Sequence, residues 1–436
     1  MRTFARSRTA MTCAVLSSGA LLLAGCGNGA GGGSSDGEPL TIAYHHRLPD
    51  GEGMTPVNDI VAQWNEENPG IQVEATKFDG DANEMALKLE TDINSGVGPC
   101  LAQVGYGEVP DLYVKGLLQD VGEEADRYED NYAAGAYSLM DVGNTVVGLP
   151  QDTGPLVYFY NEAALDELGV EVPTTLDELS EAASEAATED QYAVAFTPDE
   201  AQYWLSGQAA AAGATWYAPD GEEWAVDTTG GGTEVVADFW QELIDNDETL
   251  VQERWGDGFT QALTDGSLIG HIGGAWEAGF LLDPLDDTEA EGQWRVAQLP
   301  SFGDGDATGP NGGSGVAVTA DCEHPAEAME FNDWFNTQVD DLATQGLVVA
   351  ADSTPSTPEK MTRQFGGQDV LEELNTANDA LTPDFVYAPG FSTLSEINST
   401  ASHAGDGSVP VAEVFDTAQT TSVEALENLG LSVADS

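Results

Sequence analysis

An α/β fold is predicted for this chain on three observations. From Leu40 onward, short apolar runs of strand length alternate with amphipathic stretches of helix length. The first strands are joined through helices, the connection that parallel strands require. No repeat of solenoid period interrupts the pattern, and the sequence beyond residue 25 is long enough for two domains of ordinary size, each with its own core.

Taken in order, Leu40–Tyr44 reads as a strand, Val57–Glu66 as an amphipathic helix and Ile71–Thr76 as a second strand. Ala82–Ile93 repeats apolar residues at Met85, Leu87, Leu89 and Ile93, and Leu101–Val104 follows as a third strand. Val146–Pro150 and Leu156–Tyr160 are expected as two strands, and a helix starts at Asn161. Thr175 and Glu178 have capping-box spacing, and the helix after them places Leu176, Leu179 and Ala183 on one face. A second α/β set follows, with strands at Tyr192–Phe196 and Ser267–Ile272 and helices at Ala201–Ala212, Glu234–Ile244 and Phe259–Leu263. Gly303–Gly315 is expected as a Gly- and Asp-rich loop, Val316–Thr319 as a strand, and His324–Asn336 and Asp340–Gly346 as helices.

The first 25 residues carry Arg2, Arg6 and Arg8 ahead of an apolar run from Ala14 to Ala24 that is too short to span a bilayer. The stretch Leu23-Ala24-Gly25-Cys26 resembles a lipoprotein export signal, which implies that residues 1–25 are removed and that Cys26 carries lipid. An ordinary cleaved signal followed by a chance cysteine is the alternative. Residues 26–38 are Gly- and Ser-rich and read as a flexible linker.

Acidic residues number 77 against 12 basic ones, and three of the basic residues leave with the leader. With nine left there is no basic patch to neutralise phosphates, which argues against nucleic acid and against electrostatic attachment to anionic lipid. The acid is spread along the chain, as at Asp120–Asp130 and Leu176–Glu189, and suits a surface solvated by salt water. Besides Cys13 and Cys26 the chain has Cys100 and Cys322, which read either as a disulfide or as two buried free thiols.

Enzyme signatures are missing. Gly312-Gly313-Ser314-Gly315 runs into valine and does not make a nucleophile elbow. The calcium-like stretch Asp304–Gly309 has glycine at 315 where a glutamate is needed, and no Gly-Lys-Ser/Thr exists. Paired carboxylates suited to glycoside cleavage remain open in so acidic a chain.

Six segments in order carry a family resemblance. Trp64–Val73 is similar to an F-x-x-x-N-P-G-I-x-V opening, and Ser95–Cys100 to S-G-x-x-P-D with cysteine at the last position. Gly148–Pro150 and Tyr158–Asn161 are similar to Y-G-L-P and L-Y-Y-N, Pro173–Leu179 to P-x-T-W-D-E-L, and Gly274–Trp276 to G-x-W. Together they resemble the extracellular solute-binding proteins of family 1, the maltose-binding-like receptors of ATP-driven sugar importers. The resemblance implies a two-lobed periplasmic-binding-protein-like fold, two α/β domains joined by a hinge of crossing strands. The first lobe would hold 39–151 and 311–358, the second 152–310 and 359–436. It also places the strand beginning near Cys100 antiparallel to Val316–Thr319, which favours a Cys100–Cys322 bridge.

In such lobes the ligand meets loops at the carboxyl ends of strands, and a sugar needs aromatic faces and planar hydrogen-bonding groups. Trp276 stands where the family's stacking tryptophan does, with Glu277 beside it. Tyr203 and Trp204 open a helix, one of them facing the core. Tyr44, His45 and His46 end the first strand, and Tyr106 and Glu108 follow the third. The two adjacent histidines read as hydrogen-bonding or structural groups, since no spaced partners make a metal site. Asp152 and Thr153 mark the first crossing, where Asp152 either binds a hydroxyl or fixes the hinge, and Asn311 and Ser314 mark the second. Phe385 and Tyr387, with Phe391, either cap the cleft or pack their own segment.

The expectation is a monomeric, lipid-anchored receptor on the extracellular face of the cell membrane, binding a mono- or oligosaccharide without cofactor or metal. Its closed form would dock on the membrane permease of an ABC importer. The alternatives are a receptor for a non-sugar small solute and a surface glycoside hydrolase.

Overall fold

In the computed structural model, residues 39–434 are described apart from 52, 81, 144, 222, 304, 383 and 384, so the leader, Cys26 and the linker lie outside the described residues. Strand β1 (Leu40–His46) runs parallel to β2 (Ile71–Lys77) on one side and to β3 (Leu101–Gly105) on the other. The crossover helices are those the periodicity predicts. Val57–Glu67 buries Val57, Ile60, Val61 and Trp64, and Ala82–Asn94 buries Met85, Leu89 and Ile93, each at the three- and four-residue spacing that keeps side chains on one face.

The next strand departs from the expectation. β4 (Gly148–Asn161) is one strand of 14 residues where the sequence predicts two. Its middle, Gln151 to Pro155, is polar and ends in Gly-Pro, which reads as a break. It stays extended because it is paired on both edges, Thr153 and Asp152 facing Val348 and Val349 on one side and Gly313 and Ser314 on the other. Asn161 then caps the helix Glu162–Leu168 by accepting from the Ala164 amide at 3.1 Å. Thr175 caps Leu176–Ala187 by accepting from Glu178 N, but the Glu178 carboxylate reaches one residue further back than a capping box requires, to Thr174.

β5 (Ala195–Phe196) is only the end of the strand expected from Tyr192; its upstream part makes a single bridge, Tyr192 to Leu268. A hairpin of β6 (Tyr217–Asp220) and β7 (Glu223–Val226), the short β8 (Leu250–Val251), β9 (Gly270–Gly274) and β10 (Trp294–Gln298) complete this half. β9 lies two to three residues later than Ser267–Ile272. β11 (Pro310–Val318) occupies the end of the expected loop and carries two register shifts against β4. Gly312 and Gly313 allow them, with φ of 81° and 92° that other residues adopt only with strain. β12 (Val348–Val349) and β13 (Ser432–Val433) are short.

The large sheet has the order β10-β4-β11-β3-β1-β2, with β9 and β12 also on β4. β4 therefore joins two strand groups: its first half pairs with β11 and β12, its second half with β9 and β10. One core around β1 to β3 gathers Ile42, Tyr44, Trp64, Leu101, Val316, Phe331 and Phe335. On the other side of the crossing, Phe196, Trp204 and Trp240 pack as one cluster, and Phe159, Phe259, Trp294 and Phe365 as another. Leu101 faces Val318 in antiparallel register, and next to that pair Cys100 and Cys322 form a disulfide with Cα atoms 4.2 Å apart. Among the described residues no helix is long and apolar enough to cross a membrane.

Candidate ligand-binding site

The site grows from the crossing strands. Gly312 and Gly313 form its floor: a Cβ on Gly312 would stand 3.5 Å from Trp276 Nε1, and one on Gly313 only 2.8 Å from the Tyr106 ring. Two side chains from opposite strand groups thus converge on adjacent glycines. The Trp276 indole is anchored by donating from Nε1 to the Asn311 carbonyl at 2.8 Å, and its ring stacks on Trp255 at 5.9 Å and meets Phe280 in a tilted contact at 5.7 Å.

On the β1–β3 side a polar chain is fixed in place. The Arg47 amide donates to Gln103 Oε1 at 2.7 Å, Gln103 Nε2 donates to Ser314 Oγ at 3.0 Å, and Ser314 Oγ donates to the Asp152 carboxylate. Burial, opposed by the Ser314 hydrogen bond and the Arg47 charge, raises Asp152 to about 6. Tyr106 OH donates to the Asp152 carbonyl at 2.9 Å. Glu108 is buried and accepts from Tyr203 OH at 2.7 Å; burial pushes its carboxyl above the usual range, against the pull of Tyr203 and Arg47. Four buried polar atoms in this region, Arg47 Nε, Glu108 Oε2, Thr153 Oγ1 and Tyr387 OH, have no partner among the described residues. Buried donors and acceptors are normally paired, so a cluster of unpaired ones marks where hydroxyls of a bound molecule fit.

Behind Trp276 lies an ion-pair core. Glu277 is buried, with Oε2 on Arg254 Nε and Oε1 accepting from Gly274 N at 3.1 Å and lying 3.3 Å from His271 Nε2. Burial alone would raise its carboxyl, but Arg254 and His271 hold it down at about 2. The guanidinium lies over the Phe259 ring at 4.6 Å and the Trp255 ring at 5.0 Å. Trp255 is 59% exposed yet fixed, its Nε1 donating to the Glu200 carboxylate and its amide to Asp199 at 3.1 Å.

Residues 49–338 match the family described as bacterial extracellular solute-binding protein. The chain belongs to that family. A solved structure that resembles this solute-binding protein is the galacto-N-biose/lacto-N-biose I-binding protein of the ABC transporter from Bifidobacterium longum, in complex with lacto-N-biose. It is 51% identical with a TM-score of 0.88, over 92% of this chain and 100% of that one. The arabinooligosaccharide-binding protein of Halalkalibacterium halodurans is 24% identical over 295 residues, and the chain spans 64% of that relative's length. An uncharacterized lipoprotein of Streptomyces antibioticus is 24% identical over 341 residues, 76% of this chain and 72% of that one. The two-lobed α/β architecture is shared with the Bifidobacterium longum structure.

Of the residues singled out by sequence, Trp276, Asn311, Ser314, Asp152, Thr153, Tyr106, Glu108, Tyr203 and Tyr387 come together around the crossing, with Phe385 edge-on to Tyr387 at 4.7 Å. Five lie elsewhere or are otherwise engaged. Trp204 is in the core, packed at 4.8 Å in a tilted contact with Trp240 and with Nε1 donating to the Ile272 carbonyl, so of the helix-opening pair only Tyr203 faces the site. Tyr44 is buried against Phe331 and Phe335 because its position in β1 points into the first core. Both Glu277 oxygens are engaged by Arg254, Gly274 and His271, which makes it a support for the Trp276 loop. His46 is buried, and burial lowers it to about 4, which leaves it neutral at neutral pH, while His45 is half-buried and lowered by burial and by Lys88. Among the described residues no group of three or more potential ligands is placed to hold a metal.

Sequence reasoning misses Arg47, Arg254 and Trp255. The arginines carried a signal: among nine basic residues in an acidic chain, one buried beside a tryptophan has a specific partner. Trp255 sits in a loop between elements and shows no periodicity that separates it from other surface residues.

Proposed function

We propose that this chain is the receptor of an ABC importer and binds a short neutral carbohydrate between its two lobes, without cleaving it. The observation that carries the reading is the meeting of a partly exposed, anchored Trp276 ring with unpaired buried groups, Arg47 Nε, Glu108 Oε2, Thr153 Oγ1 and Tyr387 OH, across a glycine floor. An aromatic face takes the C–H side of a pyranose and the polar groups take its hydroxyls. The 51% identical relative was solved with lacto-N-biose, so disaccharides joining galactose to an N-acetylhexosamine head the list of ligands. The proposed lobes are 39–151 with 311–358 and 152–310 with 359–436. A lipid on Cys26 would hold the monomer on the outer face of the membrane beside its permease, and a related Streptomyces antibioticus protein is named a lipoprotein.

Calorimetry with a panel of such disaccharides, maltose and arabinooligosaccharides tests the reading. Saturable binding without product supports it; release of reducing ends, or no binding to any sugar, overturns it. Trp276→Ala is expected to weaken the bound sugar's affinity more than about tenfold, roughly 1.4 kcal/mol, while unchanged affinity removes that ring from the site.

A further inference from the structure

The helix Val109–Val114 presents a second acidic residue, Asp111, three positions after Glu108 and so on the same face. Asp111 is 7% exposed, and both its oxygens are engaged by the segment 390–392. Oδ1 accepts from the Gly390 amide and Oδ2 from Ser392 Oγ at 2.6 Å. The Gly390 donor is held rigidly: its φ is 92°, and a Cβ there would stand 2.6 Å from Ala425 Cβ in the helix Ala412–Asn428. Tyr203, which donates to Glu108, packs at 5.1 Å on Phe391, the residue between Gly390 and Ser392. One short helix of the first lobe thus grips one aromatic cluster of the second at two points. Glu108 keeps an unpaired oxygen, whereas Asp111 has none and is outside the group of unpaired atoms that face a ligand.

We infer that Asp111 is a positioning residue whose bonds to Gly390 and Ser392 clasp the two lobes, setting how tightly and how long the ligand is held without touching it. The inference rests on the receptor reading. When the lobes part, Asp111, Gly390 N and Ser392 Oγ each regain water; when they meet, the Gly390 amide is buried and the Ser392 hydroxyl half-buried, and both need an acceptor. An alanine at 111 leaves the buried Gly390 amide and the half-buried Ser392 hydroxyl without their acceptor in the closed form only. An asparagine keeps an acceptor for Gly390 and offers a donor that the Ser392 hydroxyl accepts. Because affinity scales with the population of the binding-competent state, loss of the clasp appears as faster ligand release.

The full-length protein is compared with Asp111→Ala, Asp111→Asn and Ser392→Ala by stopped-flow ligand kinetics, calorimetry, ligand-free melting and small-angle scattering. Asp111→Ala is expected to raise Kd about tenfold through koff, with kon and ligand-free melting unchanged, and Asp111→Asn to stay within about threefold of wild type. Ser392→Ala should fall between them. Equal Kd for wild type and Asp111→Ala overturns the clasp, and so does a loss of affinity accompanied by an equal loss of ligand-free stability. If wild type binds no sugar, the receptor reading fails and the clasp falls with it, whereas binding by wild type with no effect of Asp111→Ala overturns the clasp alone. Scattering of ligand-free wild type and Asp111→Ala should give the same radius of gyration, and a difference overturns a clasp confined to the closed form.

Discussion

Arg254→Ala is expected to destabilise the fold by about 3–5 kcal/mol, measured as a fall in the urea midpoint, because it strands a buried carboxylate. Glu277 is 2% exposed, and Arg254 supplies its nearest charge. Taking away the guanidinium leaves Gly274 N and His271 as its partners and also empties the space over Phe259 and Trp255. Replacing both members, Arg254→Met with Glu277→Met, should recover most of the loss, since a buried pair roughly balances its own desolvation and an apolar pair has none to balance. A single-mutant loss below about 1 kcal/mol would contradict this account. Acid offers a second test. Glu277 titrates at about 2 in the folded protein against an ordinary 4.5, so the stability it contributes is complete above pH 4.5 and is lost as pH falls toward 2. Asp152 and Glu200 run the other way, raised by burial to about 6 and about 7, so proton uptake as pH falls from 8 toward 4.5 favours the folded form, while His46, which burial keeps neutral down to about 4, offsets part of that gain below pH 6.5. The urea midpoint should therefore rise modestly from pH 8 to about 5.5 and drop below pH 4.5. A midpoint that falls steadily from pH 8 downward would refute it.

Removing the disulfide, by Cys100→Ser with Cys322→Ser or by reductant, is expected to reduce stability by about 2–4 kcal/mol. The bridge spans a separation of 222 residues, so it constrains a very long loop in the unfolded chain, and the chain-entropy limit for such a loop is on the order of 5 kcal/mol. The observed loss should stay under that limit, because Leu101–Val318 pairing and the Thr319 amide bond to the Cys100 carbonyl at 3.0 Å hold the same ends together without sulfur. Equal midpoints for oxidised and reduced protein would show that those hydrogen bonds suffice.

Much of the fold is legible in the sequence because its first half is built from units that announce themselves. Ile60, Val61 and Trp64 recur at helical spacing, β1 and β3 are short, mostly apolar runs, and β2 alternates apolar and polar residues. What the sequence conceals is pairing. Gln151-Asp152-Thr153-Gly154-Pro155 has the composition of a turn and becomes the middle of β4 only because β11 and β12 satisfy its amides and carbonyls from both edges. Gly312 and Gly313 read as loop for the same reason. In the site, residue type and position at strand ends identify Trp276, Glu108 and Asp152, but not the direction of a side chain. Tyr203 and Trp204 are neighbours of equal promise, and helix phase sends one to the site and the other to the Trp240 core. Glu277 looks like a ligand group until Arg254, 23 residues away, is brought against it.

The Cys100–Cys322 bond also has a topological consequence. Residues 100 to 322 form a covalent ring that contains the whole of 152–310, so one cut by a protease anywhere in that stretch opens the ring without freeing a fragment. A chain nicked near the Gly-rich turn at 303–309 should run as a single band until reductant is added and as two bands afterwards. For a protein exposed to extracellular proteases, the sulfur bridge makes a first cleavage survivable.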